Sequence, residues 1–97
     1  MIYSVRTRFE ASVSLAESVR WYNGCVEGLG NQLLDELKMN YDIIATYPKG
    51  FREISAGIRQ CPLKRFPYVV LYHIVDGTQL LVLAVYHTSR DPQTKLS

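Results

Sequence analysis

The chain has 97 residues, 47% of them hydrophobic and 21% charged, with only 6 Gly and 4 Pro. A polypeptide this short buries roughly 60–70% of its unfolded surface and supports one core, which excludes a multi-domain enzyme, and the composition excludes a disordered or fibrous chain. The net charge of +2 hides a split: residues 1–48 carry four Lys or Arg against six Asp or Glu, and residues 49–97 carry seven against three, so the second half points to an anionic partner.

The opening alternates, with Tyr3, Val5 and Phe9 on one side, which predicts a strand over 2–8 that buries that face. Ala11, Leu15, Val19, Tyr22 and Val26 then recur at steps of 4, 4, 3 and 4, the stripe of an amphipathic helix over 9–26. Gly28 and Gly30 bracket Leu29 and suit a helix end, while Asn31 is placed to cap the next helix. Leu33, Leu37, Tyr41 and Ile44, widened by Leu34 and Ala45, predict that second helix over 31–45, packed antiparallel on the first. Tyr47-Pro48-Lys49-Gly50 stops it.

Phe51, Ile54 and Ile58, with Gly57 among them, fit a bulged strand over about 51–59. Two runs rich in β-branched and aromatic residues, 68–75 and 80–88, flank Asp76-Gly77, the signal of a tight hairpin. Asp91-Pro92 closes the last strand and leaves a tail over 91–97. The expected architecture is one domain spanning 1–97 in the order β-α-α-β-β-β. It is α+β, with a mostly antiparallel sheet and a helical hairpin packed on one face. The apolar runs fall far short of the ~18 residues of a membrane span, and the first nine residues carry Arg6 and Arg8 where a signal peptide would be apolar. A cytoplasmic protein with no membrane partner is expected.

No glycine-rich phosphate loop, no suitably paired carboxylates and no G-x-S-x-G elbow occurs. Cys25, Cys61, His73 and His87 are the soft metal ligands, and no two of them are close in sequence, so no metal and no cofactor is expected. Both cysteines are expected reduced and at least half-buried. What remains is basic: Lys49, Arg52, Arg59, Lys64, Arg65 and Arg90. Such groups hold anions, and cations with one proton-transfer group suffice to cleave RNA. His87, three residues before Arg90, suits proton transfer, whereas His73 inside its apolar run reads as structural. Trp21 and Tyr22 are adjacent on the first helix and cannot both face the core, which leaves one of them for a partner.

Several stretches together resemble one family across almost the whole chain. They are Arg20-Trp21-Tyr22, the Gly28-Leu29-Gly30 hinge, Tyr47-Pro48 followed by Phe51-Arg52-Glu53-Ile54, and Gly57-Ile58-Arg59. Leu63-Lys64-Arg65-Phe66-Pro67-Tyr68, Tyr72 and Val85-Tyr86-His87 with Arg90-Asp91-Pro92 complete the set. This pattern resembles the RelE/ParE toxin superfamily, on its ParE-like side. The resemblance implies that superfamily's fold and a toxin of a type II toxin–antitoxin pair, as used in plasmid stabilisation, neutralised by a small, acidic, partly disordered antitoxin. The ParE branch poisons DNA gyrase, and the RelE branch cuts messenger RNA on the ribosome. The chain departs from the second pattern: no tyrosine follows Arg90, the strand from Tyr68 to Val75 has no arginine, and no lysine cluster follows the second helix. The resemblance therefore favours a non-enzymatic gyrase inhibitor, with a ribosome-dependent endoribonuclease as the alternative. It implies Arg52, Arg59, Lys64, Arg65 and Arg90 as target-binding and Trp21 and Tyr22 as antitoxin-binding. For a ribonuclease, Arg59, His87, Arg90 and Glu53 would carry the chemistry.

Overall fold

The computed structural model describes residues 2–88; Arg90 and the expected tail over 91–97 lie outside the described residues. A short strand, β1 (Ser4–Thr7), leads into helices α1 (Phe9–Cys25) and α2 (Leu29–Thr46) and a 3₁₀ turn at Pro48–Gly50. Strands β2 (Glu53–Ser55), β3 (Ile58–Pro62), β4 (Tyr68–Ile74) and β5 (Gln79–His87) follow. The five strands make one sheet in the order β1-β5-β4-β3-β2. Strand β1 runs parallel to β5, with Ser4 opposite Gln79 and Thr7 opposite Val82, and the remaining pairings are antiparallel. The fold is the expected α+β arrangement, its sheet mixed because the outermost strand is parallel.

The helical hairpin closes more tightly than its sequence suggests. Gly28, at φ 81, adopts the left-handed conformation that lets the chain reverse, and α2 starts immediately after it at Leu29. Asn31 therefore lies inside the helix and does not cap it. Asn23 of α1 takes the capping part from across the hairpin, its Oδ1 accepting the Gly30 N–H at 2.7 Å. The first strand is likewise shorter than expected, because the chain turns into α1 at Arg8, and Phe9 is left 75% exposed. Val26, expected in the apolar stripe of α1, has already left the helix in an extended conformation and is exposed.

The bulged strand expected over 51–59 is two strands. Gly57, at φ 76, makes the turn of a hairpin in which Glu53 pairs with Arg59 and Ser55 with Ile58. His73 on β4 secures that turn, its Nδ1–H donating to the Gly57 carbonyl at 2.7 Å. The expected irregularity is present there too, since the register shifts between Glu53 and Ser55, and a bulge lies in β5: the pairing steps from Leu71 opposite Ala84 to Tyr72 opposite Val82, and Leu83 is the extra residue. It shifts the alternation, so that Leu80 and Val82 before it and Val85 after it all face the hairpin side.

On that side Leu33, Leu37 and Ile44 of α2 meet Cys61, Val70, Tyr72, Leu80, Val82 and Val85, with Leu15, Val19 and Tyr22 of α1 packed around them. The opposite face of the sheet has a second, smaller cluster of Val69, Leu71, Ala84 and Tyr86, against which Ile54 and Ile58 pack. Strands β4 and β5 are thus buried on both faces, which accounts for their nearly unbroken apolar sequences.

Candidate functional site

Within the apolar stripe of α2 runs a polar column, Gln32, Glu36 and Asn40, at steps of one helical turn. Glu36 is only 8% exposed and is the one charged side chain buried among the described residues. A carboxylate removed from water requires hydrogen bonds to offset its lost hydration. The turn between β3 and β4 provides them: the Arg65 N–H lies 3.1 Å from Oε1 and 2.9 Å from Oε2, and the Phe66 N–H lies 3.2 Å from Oε1. One turn earlier, Gln32 Oε1 accepts Nη2 of Arg65 at 2.7 Å. One turn later, the Cys61 thiol donates to Asn40 Oδ1 at 3.5 Å, and burial pushes that thiol's pKa up to about 11.

This column holds the basic turn in place. Leu63 and Phe66 are buried on either side of it, and backbone bonds from Leu63 N–H to the Tyr68 carbonyl and from Tyr68 N–H to the Phe66 carbonyl close it at 2.9 and 2.8 Å. Lys64 and Arg65, between the two anchors, are exposed. Beside the turn stands an aromatic ridge. Phe66 meets Tyr22 edge-on at 5.5 Å between ring centres, and Tyr22 meets Trp21 in the same manner at 5.0 Å. Tyr22 is half-buried, and desolvation raises its phenol pKa, whereas Trp21 is 65% exposed. Tyr68 continues the ridge: its hydroxyl donates to Ser18 Oγ at 3.2 Å and its ring meets that of His87 at 5.4 Å.

Among the described residues the other expected cations do not join this group. Arg59 is half-buried and turned inward, its Nη1 donating to the carbonyls of Phe51 at 2.7 Å and Lys49 at 3.3 Å while Nη2 lies 3.7 Å from Glu53. Tyr72, buried beneath it, donates its hydroxyl to the Pro48 carbonyl. Arg59 and Tyr72 thereby hold the polar backbone of residues 48–51 against the sheet. Arg59 lies opposite Tyr72 and His87 opposite Tyr68, four positions along β4 and two strands apart. At ~3.4 Å per residue and ~4.8 Å per strand, these residues are roughly 16 Å apart. Glu53 is with Arg59 at the far end, as are the exposed Lys49 and Arg52. Cys25 is exposed, not half-buried as expected, because it ends α1 at the rim of the hairpin. Among the described residues no three His, Cys, Asp or Glu side chains come together to hold a metal, and no helix is long and apolar enough to cross a membrane.

The site was partly legible. Lys64, Arg65, Trp21 and Tyr22 were singled out from sequence, and the structure links the turn to the ridge through Phe66. Glu36 was missed, although its signal is present: three hydrogen-bonding residues at i, i+4 and i+8 beside a buried stripe.

A helical hairpin on a five-stranded mixed sheet that displays a clamped basic turn defines a class of small α+β domains. Over residues 11–92 the chain matches the family described as ParE toxin of type II toxin-antitoxin system, parDE, and it belongs to that family. No curated protein sequence matches it. Among solved structures it is similar to a chain of the chromosomal ParDE TA system from P. aeruginosa. That likeness has a TM-score of 0.75 at 13% identity, covers 89% of this chain and 96% of that one, and is a likeness of fold.

Proposed function

We propose that this toxin arrests growth by binding DNA gyrase in the cytoplasm, and that a cognate antitoxin with an acidic, partly disordered segment neutralises it. Membership of the ParE family supports the gyrase reading. The observation that carries it is the position of Arg59, tied to the carbonyls of Phe51 and Lys49 and roughly 16 Å from His87 by the strand spacings. An RNA-cleaving site needs its cations and its proton-transfer group around one phosphate. Here the exposed pair Lys64–Arg65 stands beside an aromatic ridge, an arrangement that grips a surface.

The exposed Trp21 and the half-buried Tyr22 continue from Phe66, next to Arg65. An antitoxin segment laid on Trp21 with its acidic residues toward Arg65 would cover the turn and so deny it to the target. The direct experiment adds purified toxin to gyrase and follows supercoiling of relaxed plasmid, with a parallel reaction of ribosomes programmed with messenger RNA. Inhibited supercoiling with intact message is expected. Full gyrase activity at saturating toxin, together with cleaved message, would replace this reading by the endoribonuclease one.

A further inference from the structure

We infer that Glu36 is a positioning residue, which holds the Lys64–Arg65 turn as a preformed cationic grip for an acidic protein surface on the toxin's target. The inference rests on the reading above that the chain acts by gripping a target. It starts from an anomaly in the helical hairpin. A glutamate between Leu33 and Leu37 on the buried side of α2 costs more than an apolar residue there unless its oxygens are fully used. Glu36 uses both of them on main-chain N–H groups of one turn, and Gln32 holds the Arg65 side chain from the same helix. A turn needed only for solubility has no use for such fastening, since exposed lysines and arginines are equally soluble when mobile. A turn that must present two cations in one geometry does, because ordering it beforehand removes that entropic cost from binding.

The neighbourhood selects the partner's chemistry. Tracking a nucleic acid backbone requires a stripe of cations. The exposed cations among the described residues are the adjacent pair Lys64–Arg65, Lys49 and Arg52 at the other end of the sheet, Arg6 and Arg8 in and just after the edge strand β1, and the single Arg20 and Lys38 on α1 and α2, which are spread over separate elements. Beside the pair the 65% exposed Trp21 stands on the half-buried Tyr22, which rests edge-on against the buried Phe66, so Trp21 is the ring presented to a partner. Aromatic and arginine side chains side by side are characteristic of protein–protein hot spots, and the complementary surface carries Asp or Glu.

Four purified chains decide the matter: wild type, Glu36→Gln, the double variant Lys64→Ala with Arg65→Ala, and the triple variant. Each is assayed for inhibition of gyrase supercoiling at 25 °C, after circular dichroism has confirmed that it is folded there, and for thermal stability. Glu36→Gln and the double variant should each weaken inhibition about tenfold or more, and the triple variant should be no weaker than the double, because the lost contacts are the same. Stability should behave differently, with the triple variant losing as much as Glu36→Gln alone. A purely structural Glu36 would move stability and leave potency unchanged, and a Glu36 that affects potency by a route other than this pair would add its loss to that of the double variant in the triple variant; either result overturns the inference. Should Glu36→Gln fail to fold, Gln32→Ala replaces it, with a smaller loss of potency that must vanish in the Arg65→Ala background. Should wild type leave gyrase untouched, the gyrase reading fails, and the same chains are scored by the inducer concentration that halts growth, where non-additivity still decides the part played by Glu36. A wild type that neither inhibits gyrase nor halts growth overturns both. Binding of a short DNA duplex by wild type, lost in the double variant, would assign the grip to nucleic acid and overturn the choice of partner.

Discussion

Gly30→Ala is the substitution for which the hairpin geometry makes the sharpest prediction. In most helix interiors this exchange is favourable by about 1 kcal/mol, because alanine loses less backbone entropy on folding. At Gly30, however, an added Cβ would lie 2.1 Å from the backbone oxygen of Val19 and 2.9 Å from the Asn23 side chain. Ordinary contact begins near 3.4 Å. The nearest atom belongs to the main chain of α1, so the helices must separate by about an ångström, at a cost of roughly 1–3 kcal/mol for an overpacked contact. The same movement stretches the 2.7 Å bond from Gly30 N–H to Asn23, worth about 1 kcal/mol more. The clash exceeds the propensity gain, and a net loss of roughly 1–3 kcal/mol corresponds to a fall in Tm of about 5–20 °C for a domain of this size. Gly24 on α1 is the control: nothing lies within 4 Å of an added Cβ there. Gly24→Ala should raise stability by about 0.5–1 kcal/mol. Thermal melts and urea titrations of the two variants check the pair. A Gly30→Ala chain as stable as wild type would refute the close packing of α1 on α2.

Three further outcomes follow from the buried polar groups. With a thiol-reactive dye at neutral pH the native protein should titrate one cysteine, the exposed Cys25, and a second only after denaturation, because Cys61 is fully buried with its pKa pushed to about 11. The Tyr72 phenol is raised from 10.0 to about 12 by burial, so in alkali the unfolded chain loses this proton first. Stability from this group is therefore complete below pH 10 and falls by about 2 kcal/mol as pH rises toward 12, a slope that Tyr72→Phe should remove in pH-dependent urea titrations. Arg59→Ala should cost about 2 kcal/mol by leaving the carbonyls of Lys49 and Phe51 unpaired, and Arg59→Lys should recover little of it, since an ammonium lacks the planar fork that reaches both; thermal melts of the two variants read this.

The elements read correctly from sequence are those whose signal is local. The stripes of α1 and α2 are periodic over about three turns each, and Asp76-Gly77 falls between two apolar runs, so neither required knowledge of a distant partner. Gly57 marks the limit of such reading. A glycine with positive φ serves a bulge and a two-residue turn equally, and what distinguishes them is cross-strand pairing of Glu53 with Arg59 and the hold of His73, some sixteen residues further on. The bulge at Leu83 was invisible for a related reason: with both faces of β5 buried, no alternation of polar and apolar residues exists for a phase shift to interrupt.

The same distinction separates the residues of the site. Lys64 and Arg65 were legible because cations in a turn between strands face solvent whatever the rest of the chain does. Arg59 has the same chemistry but sits in register with Tyr72, under the carbonyls of residues 49 and 51, and that register converts a cation expected at the target into an internal brace. Glu36 is the converse case. Its charge predicts solvent, and its position one residue before Leu37 predicts the core, and the contradiction resolves only when the turn from Leu63 to Tyr68 arrives with its N–H groups pointing at α2. A buried carboxylate that is satisfied by the backbone of one particular turn constrains that turn more than it stabilises the helix it comes from. Conflict between local pattern and global placement is expected where a fold holds a surface ready for a partner, and among the described residues Glu36 is where this chain shows it.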